Sequence, residues 1–252
     1  MEGQDPSPVV RQHHEQMLKL VAKGFYSELI KYGVNKPEIV TVAGHLLDNL
    51  LHQSGQANKE GEYYNALFRI KDVRDEWNQK KRLTVRQVSL APLDSSLAPA
   101  IASWLKDPVM RESFVPAFPT SSKDLADYFR DSARQYFGIF HQDEPTGIIG
   151  AEHIDRTTGK LEMRKLVGNP AMHGKGIGKQ ATFLFLYYVF EILKFQKVYL
   201  HSTDINIRNL NLNNKFGFEL EGVFFEDALV QGKRVDLVRM GLRQSVWHEL
   251  FS

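Results

Sequence analysis

The chain has 252 residues, of which 42% are hydrophobic and 25% charged, a composition typical of a globular protein with a substantial core. Its net charge of +2 gives no reason to expect nucleic acid or a membrane surface as a partner. The absence of cysteine excludes disulfides, cysteine-ligated zinc and thiol nucleophiles. The start of the chain has no signal-peptide pattern, and the longest apolar run, 181–193, is too short to span a bilayer, so we expect a cytoplasmic protein.

The N-terminal part of the chain predicts three amphipathic helices. The first has apolar residues at helical spacing, which are Leu18, Val21, Phe25 and Leu29. A second helix is predicted over 35–55 and a third over 63–77, each with an apolar side. Together they predict a helical domain over residues 1–82. Such a domain could support dimerisation, brace the rest of the chain or form a wall of a substrate cleft.

From residue 83 onwards strands alternate with helices, which predicts a second domain over 83–252. The predicted strands are 83–88, 136–141, 146–154, 160–168, 197–202, 218–229 and 234–242. The predicted helices are 92–105, one capped by Ser121 or Ser122, a long apolar helix over 177–193, and a short one over 208–215.

A glycine-rich turn joins the strand at 160–168 to the long apolar helix. Its sequence from Leu166 to Lys179 places Gly174, Gly176 and Gly178 within five residues. Glycines let the backbone come close to a phosphate, and the N–H groups at the start of the helix attract an anion. The turn therefore predicts a pyrophosphate-binding site.

Two common phosphate-binding motifs do not fit this turn. A P-loop would need a glycine at His173 and a hydroxyl residue at Gln180. A dinucleotide fingerprint over 176–181 should follow its strand directly, yet seven residues intervene after Gly168. Its acidic ribose ligand is missing as well, because Asp204 comes too late.

A third motif, [Q/R]-x-x-G-x-[G/A], fits residues 173–178 except that histidine occupies its first position. Here the chain resembles the GNAT superfamily of acyl-CoA-dependent N-acyltransferases, over residues 83–243. Residues 162–170 resemble the family's fourth strand, and 206–218 (N-I-R-N-L-N-L-N-N-K-F-G-F) its N-x-x-[A/S] helix and K-x-G-F ending. The resemblance implies an α+β fold, in which a mixed, mainly antiparallel central sheet is flanked by helices. In this chain it would follow the all-helical N-terminal domain.

The resemblance also implies an acyl-coenzyme A donor, acetyl-CoA or a larger acyl-CoA, and no metal. Backbone N–H groups of the glycine turn would hold the pyrophosphate, and the edge of the strand before it would pair with the pantetheine arm. The donor-binding residues expected from it are Leu166, Val167, His173, Gly174, Lys175, Gly176, Ile177, Gly178, Lys179, Asn206 and Asn209.

The reaction requires a base for the amine and an acid for the leaving thiolate. The family's tyrosine acid falls at Asn213, which cannot donate a proton in this way, so solvent or another residue would act. His201, five residues before Asn206, lies where the ribosomal-protein acetyltransferases carry a glutamate, and imidazole suits a base near neutral pH. Glu152 and His153 are further candidates, while Glu162 fits a structural role as well as a catalytic one.

The acceptor is predicted from the resemblance alone. Residues 162–178 and the closing hairpin resemble two groups of the family, the acyltransferases of nucleotide-linked amino sugars and the ribosomal-protein acetyltransferases. We favour the first group, so the expected acceptor is the amino group of a dTDP- or UDP-linked sugar. A protein N-terminus is the alternative, and a non-catalytic acyl-CoA-binding module is a third possibility. A homodimer is expected, for which the apolar stripe with Leu46 and Leu50 could supply the interface.

Overall fold

A computed structural model describes residues 8–36, 38–39, 42, 63–107, 119, 121–202, 212–230 and 232–252, with side chains from residue 16 onwards apart from 122 and 230. Within these ranges the strands are β1 Arg74–Glu76, β2 Arg82–Val85, β3 Val88–Pro92, β4 Gln135–His141, β5 Glu144–Asp155, β6 Lys160–Val167, β7 Lys197–Ser202, β8 Glu219–Val230 and β9 Lys233–Arg243. The helices are α1 Pro8–Lys31, α2 Trp77–Lys80, α3 Ala98–Trp104, α4 Ser122–Arg130, α5 Ile177–Tyr187 and α6 Gln244–Phe251. A π-helical turn, Tyr188–Ile192, extends α5.

The strands form one sheet in the order β1-β2-β3-β4-β5-β6-β7-β9-β8. Neighbours pair antiparallel except β6 and β7, which are parallel and pair at only three positions, from Lys160 with Lys197 to Glu162 with Tyr199. The two strands separate beyond these pairs, so the sheet opens in the middle. The predicted mixed, mainly antiparallel sheet with flanking helices is confirmed.

Apolar side chains cover the sheet on both faces. The larger core packs α5 and α6 against one face, where Phe183 of α5 contacts Trp247 and Phe251 of α6. The smaller core lies under α3 and α4 and contains Ile101, Leu125 and other buried residues. Helices therefore cover both faces of the sheet around the opening between β6 and β7.

The N-terminal part only partly follows its prediction. The first helix is confirmed as α1, whereas the second falls mostly outside the described residues. The prediction of a third helix over 63–77 was wrong, because residues 63–80 form two 3₁₀ turns, strand β1 and the short helix α2. Phe68 is fully buried in the larger core, so contacts with the sheet outweigh the helical spacing of this segment. The division at residue 82 stays a prediction, and this packing favours a boundary before Tyr63.

Other differences concern short and terminal elements. The single strand predicted at 83–88 is the hairpin β2–β3, which turns at Arg86 with φ of 51°. The C-terminal helix α6 was not predicted. Of the predicted helix 208–215, residues 208–211 lie outside the described residues and 212–214 are helical. Leu46 and Leu50 also lie outside them, so the predicted homodimer stays a prediction. No helix in the described ranges is long and apolar enough to cross a membrane.

Candidate active site

The glycine turn has the backbone geometry of an anion site. Gly174 and Gly176 adopt φ of 78° and 76°, which non-glycine residues rarely adopt. Gly176 caps α5, and the first helical hydrogen bond runs from the N–H of Gln180 to the carbonyl of Gly176, 3.2 Å away. The N–H groups of Ile177, Gly178 and Lys179 precede that bond and have no carbonyl partner within the helix. They can therefore donate to a phosphate group.

A cleft of about 800 Å³ opens over this turn. It contains seven of the predicted donor-binding residues, which are Val167, His173, Gly174, Gly176, Ile177, Gly178 and Lys179. Leu166 and Lys175 do not line it, and Asn206 and Asn209 lie outside the described residues. Its other walls come from α1, Tyr32, Tyr64, Met172, Leu212 and Lys215. The sequence offered a cleft wall as one possible role of residues 1–82, but it named none of these residues as donor contacts.

Cations lie close to the cleft. The ammonium groups of Lys179 and Lys215 both lie 5.7 Å from the ring centre of Tyr64. Phosphate-binding backbone, two cations and an aromatic ring fit the pyrophosphate and nucleotide of coenzyme A. In the described part of the chain no cluster of three or more histidine, aspartate or glutamate residues could hold a metal ion.

The free edge of β6 borders this cleft at Val167. Gly168 donates its N–H to the carbonyl of Thr146 (2.9 Å), which places the backbone groups of Gly168 on the β5 side. Because consecutive residues in a strand alternate direction, the N–H and C=O of Val167 point to the free edge instead. There Nε2 of His173 lies 2.8 Å from the carbonyl oxygen of Val167 and ties the turn to the strand.

Leu166 does not share this orientation. Its carbonyl oxygen points to β5, only 2.1 Å from where a Cβ on Gly147 would lie. The side chain is buried in the smaller core. The backbone of Leu166 therefore cannot pair with a ligand at the free edge of β6. Because strand residues alternate, the backbone groups that face this edge belong to Met163, Lys165 and Val167.

Lys165 is a residue of this region that the sequence did not single out. Its Nζ donates to Oγ1 of Thr182 (2.7 Å), and that hydroxyl donates to the carbonyl of Gly178 (2.8 Å). The residue keeps some solvent contact, yet protein atoms crowd its ammonium group, and this burial lowers the pKa to about 8. The available signal was a lysine that alternates with Leu161, Met163 and Val167 on the otherwise apolar face of β6. The ammonium group lies under the first turn of α5 without a described carboxylate in hydrogen-bond contact.

On the other face of the sheet, Glu162 marks the point where β6 and β7 separate. Its side chain is 1% exposed, and its Oε1 lies 2.9 Å from Nδ1 of His201. Burial raises the pKa of Glu162, but hydrogen bonds from His201 and His153 and the charge of Arg164 outweigh it, so the pKa lies below its usual value. An ionised carboxylate only accepts hydrogen bonds, so Nδ1 of His201 carries the proton. In the neutral imidazole, Nε2 of His201 is then left with a lone pair.

Two more donors complete the surroundings of Glu162. Arg164 lies 2.6 Å from Oε1, and Nδ1 of His153 lies 2.8 Å from Oε2. His153 follows Glu152 in a β-bulge and adopts φ of 48°, which turns its ring toward the face on which Glu162 lies. The structure thus brings His201, His153 and Glu162 together, as three of the predicted candidates.

Glu152 has a different environment, although it pairs directly with Glu162 across β5 and β6. Its Oε1 accepts hydrogen bonds from the hydroxyls of Tyr128 and Tyr136, and Nε of Arg134 lies 4.0 Å from its Oε2. Burial above all, together with the negative charge of Glu152, raises the pKa of Tyr136 well above its usual value. Its hydroxyl therefore stays a hydrogen-bond donor. No described histidine contacts Glu152, which fits a structural role better than that of a base.

Asn213 is buried and lies just before the turn into β8. Its carbonyl accepts the N–H groups of Phe216 (2.9 Å) and Phe218 (3.1 Å). The amide side chain cannot serve as a general acid. The residue shapes this turn through its backbone, and its proposed place in the reaction stays a prediction.

Residues 82–219, more than half of the chain, match the family described as "Acetyltransferase (GNAT) domain". A spermidine N(1)-acetyltransferase of Escherichia coli (strain K12) is 25% identical over 142 residues, which cover 56% of this chain and 72% of that protein. The corresponding enzyme of Vibrio cholerae is 27% identical over 142 residues, 56% of this chain and 79% of the relative.

Solved structures share the fold. Spermidine N-acetyltransferase from Vibrio cholerae in complex with CoA and spermine aligns with a TM-score of 0.59 and 24% identity, covering 64% of this chain and 98% of that one. A probable acetyltransferase (GNAT family) from Chromobacterium violaceum gives 0.60 and 21%, covering 67% and 89%. The chain belongs to the GNAT acetyltransferase domain family and is an acetyl-CoA-dependent N-acetyltransferase of amines.

Proposed function

We propose that this enzyme acetylates an aliphatic di- or polyamine, with His201 as general base and Glu162 as the residue that orients it. The observation that carries the base assignment is the 2.9 Å contact between Nδ1 of His201 and the buried carboxylate of Glu162. It fixes the tautomer in which Nε2 can accept a proton from the amine. A base oriented by a second group is the arrangement that activates nucleophiles in many transferases and hydrolases.

The steps follow from this arrangement. The amine nitrogen attacks the thioester carbonyl carbon, and Nε2 of His201 takes the proton that the nitrogen loses. The N–H of Val167 at the free edge of β6 is placed to donate to the oxyanion that forms. The carbon–sulfur bond then breaks, and the thiolate takes a proton. Because Asn213 has none to give, His201 returns the one that it accepted.

A polyamine acceptor is supported by a bulge in β8 close to His201. The ring of Phe224 lies 5.7 Å from that of His201, and the bulge that follows it before Ala228 contains Glu226 and Asp227. Bulges are common beside active sites because they re-aim side chains. Neither carboxylate forms an ion pair with a described residue, although Glu219 and Glu221 of the same strand do. Such carboxylates suit the second ammonium group of a polyamine.

The relatives from Escherichia coli and Vibrio cholerae point the same way, because they are spermidine N(1)-acetyltransferases. No nucleotide-linked amino sugar is named among these relatives, so that expected acceptor has no support from them. It stays a prediction, as does acetylation of a protein N-terminus. All three acceptors are amines and would use the same base.

The test is thiol release from acetyl-CoA with spermidine, a dTDP-linked amino sugar and an N-terminal peptide as acceptors. We expect turnover with spermidine, and in Glu226→Gln a KM for spermidine raised by about threefold to tenfold, because one exposed charge contact is lost. Glu249→Gln is the matched control, since Glu249 is an exposed residue of α6 outside the site. Turnover with the sugar or the peptide but not with spermidine would overturn the acceptor assignment, and coenzyme A binding without any turnover would favour a binding module.

A further inference from the structure

Helix α1 lies outside the family match yet forms one wall of the donor cleft. The family match begins at residue 82, whereas Phe25, Glu28 and Leu29 of α1 and Tyr32 just after it line the cleft. Phe25, Glu28 and Leu29 are half-buried, while Tyr26 and Ile30 on another side of the helix are 45% and 44% exposed. The helix therefore presents a distinct apolar and aromatic surface toward the glycine turn.

The walls of the cleft carry two kinds of chemistry. The phosphate-binding N–H groups of α5 and the free edge of β6 at Val167 supply polar backbone groups. Helix α1 and Tyr64 supply aromatic and aliphatic side chains, and the cations of Lys179 and Lys215 lie beside the Tyr64 ring. Flat aromatic surfaces beside cations suit a purine ring that carries phosphate groups. Coenzyme A has such a group beyond its pyrophosphate, the adenosine 3′-phosphate.

We propose that α1 and Tyr32 form the binding surface for the adenosine 3′-phosphate end of acetyl-CoA, with Phe25, Leu29 and Tyr32 against the adenine ring. This rests on the donor site described above and extends it to a segment that a minimal acyltransferase domain lacks. Lys215 and Lys179 supply the positive charge for the 3′-phosphate. The role of the N-terminal helix is then to complete the donor site.

The carboxylate of Glu28 is the one group on this wall that opposes an anionic ligand. It lies 2.8 Å from Nζ of Lys31, so its charge is balanced within the helix. The side chain of Glu28 is only 16% exposed, whereas the lysine is 61% exposed. Because Glu28 pairs with Lys31, the cations of Lys179 and Lys215 are the charges without an ion-pair partner on the described walls of the cleft.

The experiment compares whole and truncated ligands by isothermal titration calorimetry. Coenzyme A, 4′-phosphopantetheine and adenosine 3′,5′-bisphosphate are titrated into the wild-type chain and into Tyr32→Ala and Phe25→Ala. We expect the Kd for coenzyme A and for the bisphosphate to rise by about tenfold in each variant, since a stacked base contributes substantially to binding. The Kd for 4′-phosphopantetheine should not change, because it lacks the adenosine.

Tyr26→Ala is the matched control, because Tyr26 is an exposed tyrosine of the same helix that does not line the cleft. Equal Kd values for coenzyme A in the wild-type chain, Tyr32→Ala and Phe25→Ala would overturn the inference. So would an equal weakening of coenzyme A and 4′-phosphopantetheine. If the wild-type chain binds neither ligand, the donor site itself fails, which is a separate result. Because Tyr32 is 79% exposed, its replacement tests the surface without disturbing the core.

Discussion

The donor and acceptor sides of this active site are built in different ways. The donor side is one continuous stretch, in which the end of β6, the glycine turn and the first turn of α5 follow each other in sequence. The acceptor side that we propose collects His153 from β5, Glu162 from β6, His201 from β7 and Phe224 from β8. Backbone groups can bind a phosphate from one local segment, whereas positioning a proton acceptor requires side chains from several strands.

The two sides should therefore respond to different substitutions. The donor side depends on backbone conformation, so changes at its glycines should alter donor binding. The acceptor side depends on particular side chains, so conservative replacements there should alter turnover. Four measurements would test this contrast, from the largest expected effect to the smallest.

The largest effect is expected from His201→Gln. The variant removes the proton acceptor, so kcat should fall by about 10²- to 10⁴-fold while the Kd for coenzyme A stays the same. Steady-state kinetics with a separate titration of coenzyme A measures both. His248→Gln is the control, because His248 forms a similar histidine–carboxylate pair in helix α6, with Nε2 lying 2.8 Å from Oε1 of Glu191. Unchanged turnover in His201→Gln would contradict the role of this histidine.

Glu162→Gln should have a smaller effect on the same step. The amide keeps the size of the side chain but loses the charge that orients His201, and kcat should fall by about a hundredfold. The acidic limb of the pH–rate profile should also change, because the variant lacks the carboxyl group of Glu162, whose pKa lies below its usual value. Glu152→Gln separates the two buried carboxylates, since Glu152 contacts tyrosine hydroxyls instead of a histidine. A larger loss of kcat in Glu152→Gln than in Glu162→Gln would reverse the assignment.

On the donor side, Gly174→Ala should raise the KM for acetyl-CoA by about tenfold, because a side chain in the left-handed region costs about 1–2 kcal/mol. Turnover at saturating acetyl-CoA should change little. Gly232→Ala is closely matched, since both glycines have positive φ, 78° and 74°, and open space where a Cβ would lie. Thermal unfolding should report similar destabilisation of both variants. A KM that rises equally in both would mean that the effect is general instead of local.

The smallest effect is the proton uptake by Lys165 when coenzyme A binds. Since burial lowers its pKa to about 8, this lysine is about half protonated at pH 8 in the free enzyme. A pyrophosphate nearby favours the charged form and raises the pKa, so coenzyme A binding at pH 8 should take up as much as about half a proton. Calorimetry in two buffers of different ionisation enthalpy measures this uptake.

Lys165→Met should abolish that uptake, whereas Lys71→Met, at an exposed position of a 3₁₀ turn, should keep it. Uptake that persists in Lys165→Met would assign the proton to another group. The same shift affects folding: the unfolded chain binds more protons between pH 8 and the ordinary lysine pKa of 10.5, so the contribution of Lys165 to stability improves as pH rises through that range.

Much of the fold could be predicted because local pattern and tertiary packing agree there. The helix α1, the strands from β4 to β9 and the cap of α4 at Ser121 follow directly from periodicity and capping residues. The third predicted helix was wrong because Phe68, Ile70 and Trp77 pack in and against the larger core. The helical spacing of apolar residues does not reveal such contacts. The hairpin turn at Arg86 lacks a glycine or proline signal.

The sequence by itself indicated a phosphate site, because three closely spaced glycines lie between a strand and an apolar helix. The coenzyme A donor followed from the family resemblance of the flanking residues 162–170 and 206–218. It also put His201 first as the base, ahead of Glu152 and His153, and left Glu162 open between a structural and a catalytic role. Only the tertiary structure decided that Glu162 contacts His201, that Glu152 is engaged by tyrosines, and that α1 closes the donor cleft. These contacts join residues distant in sequence, and no local propensity encodes which of them meet when the sheet forms.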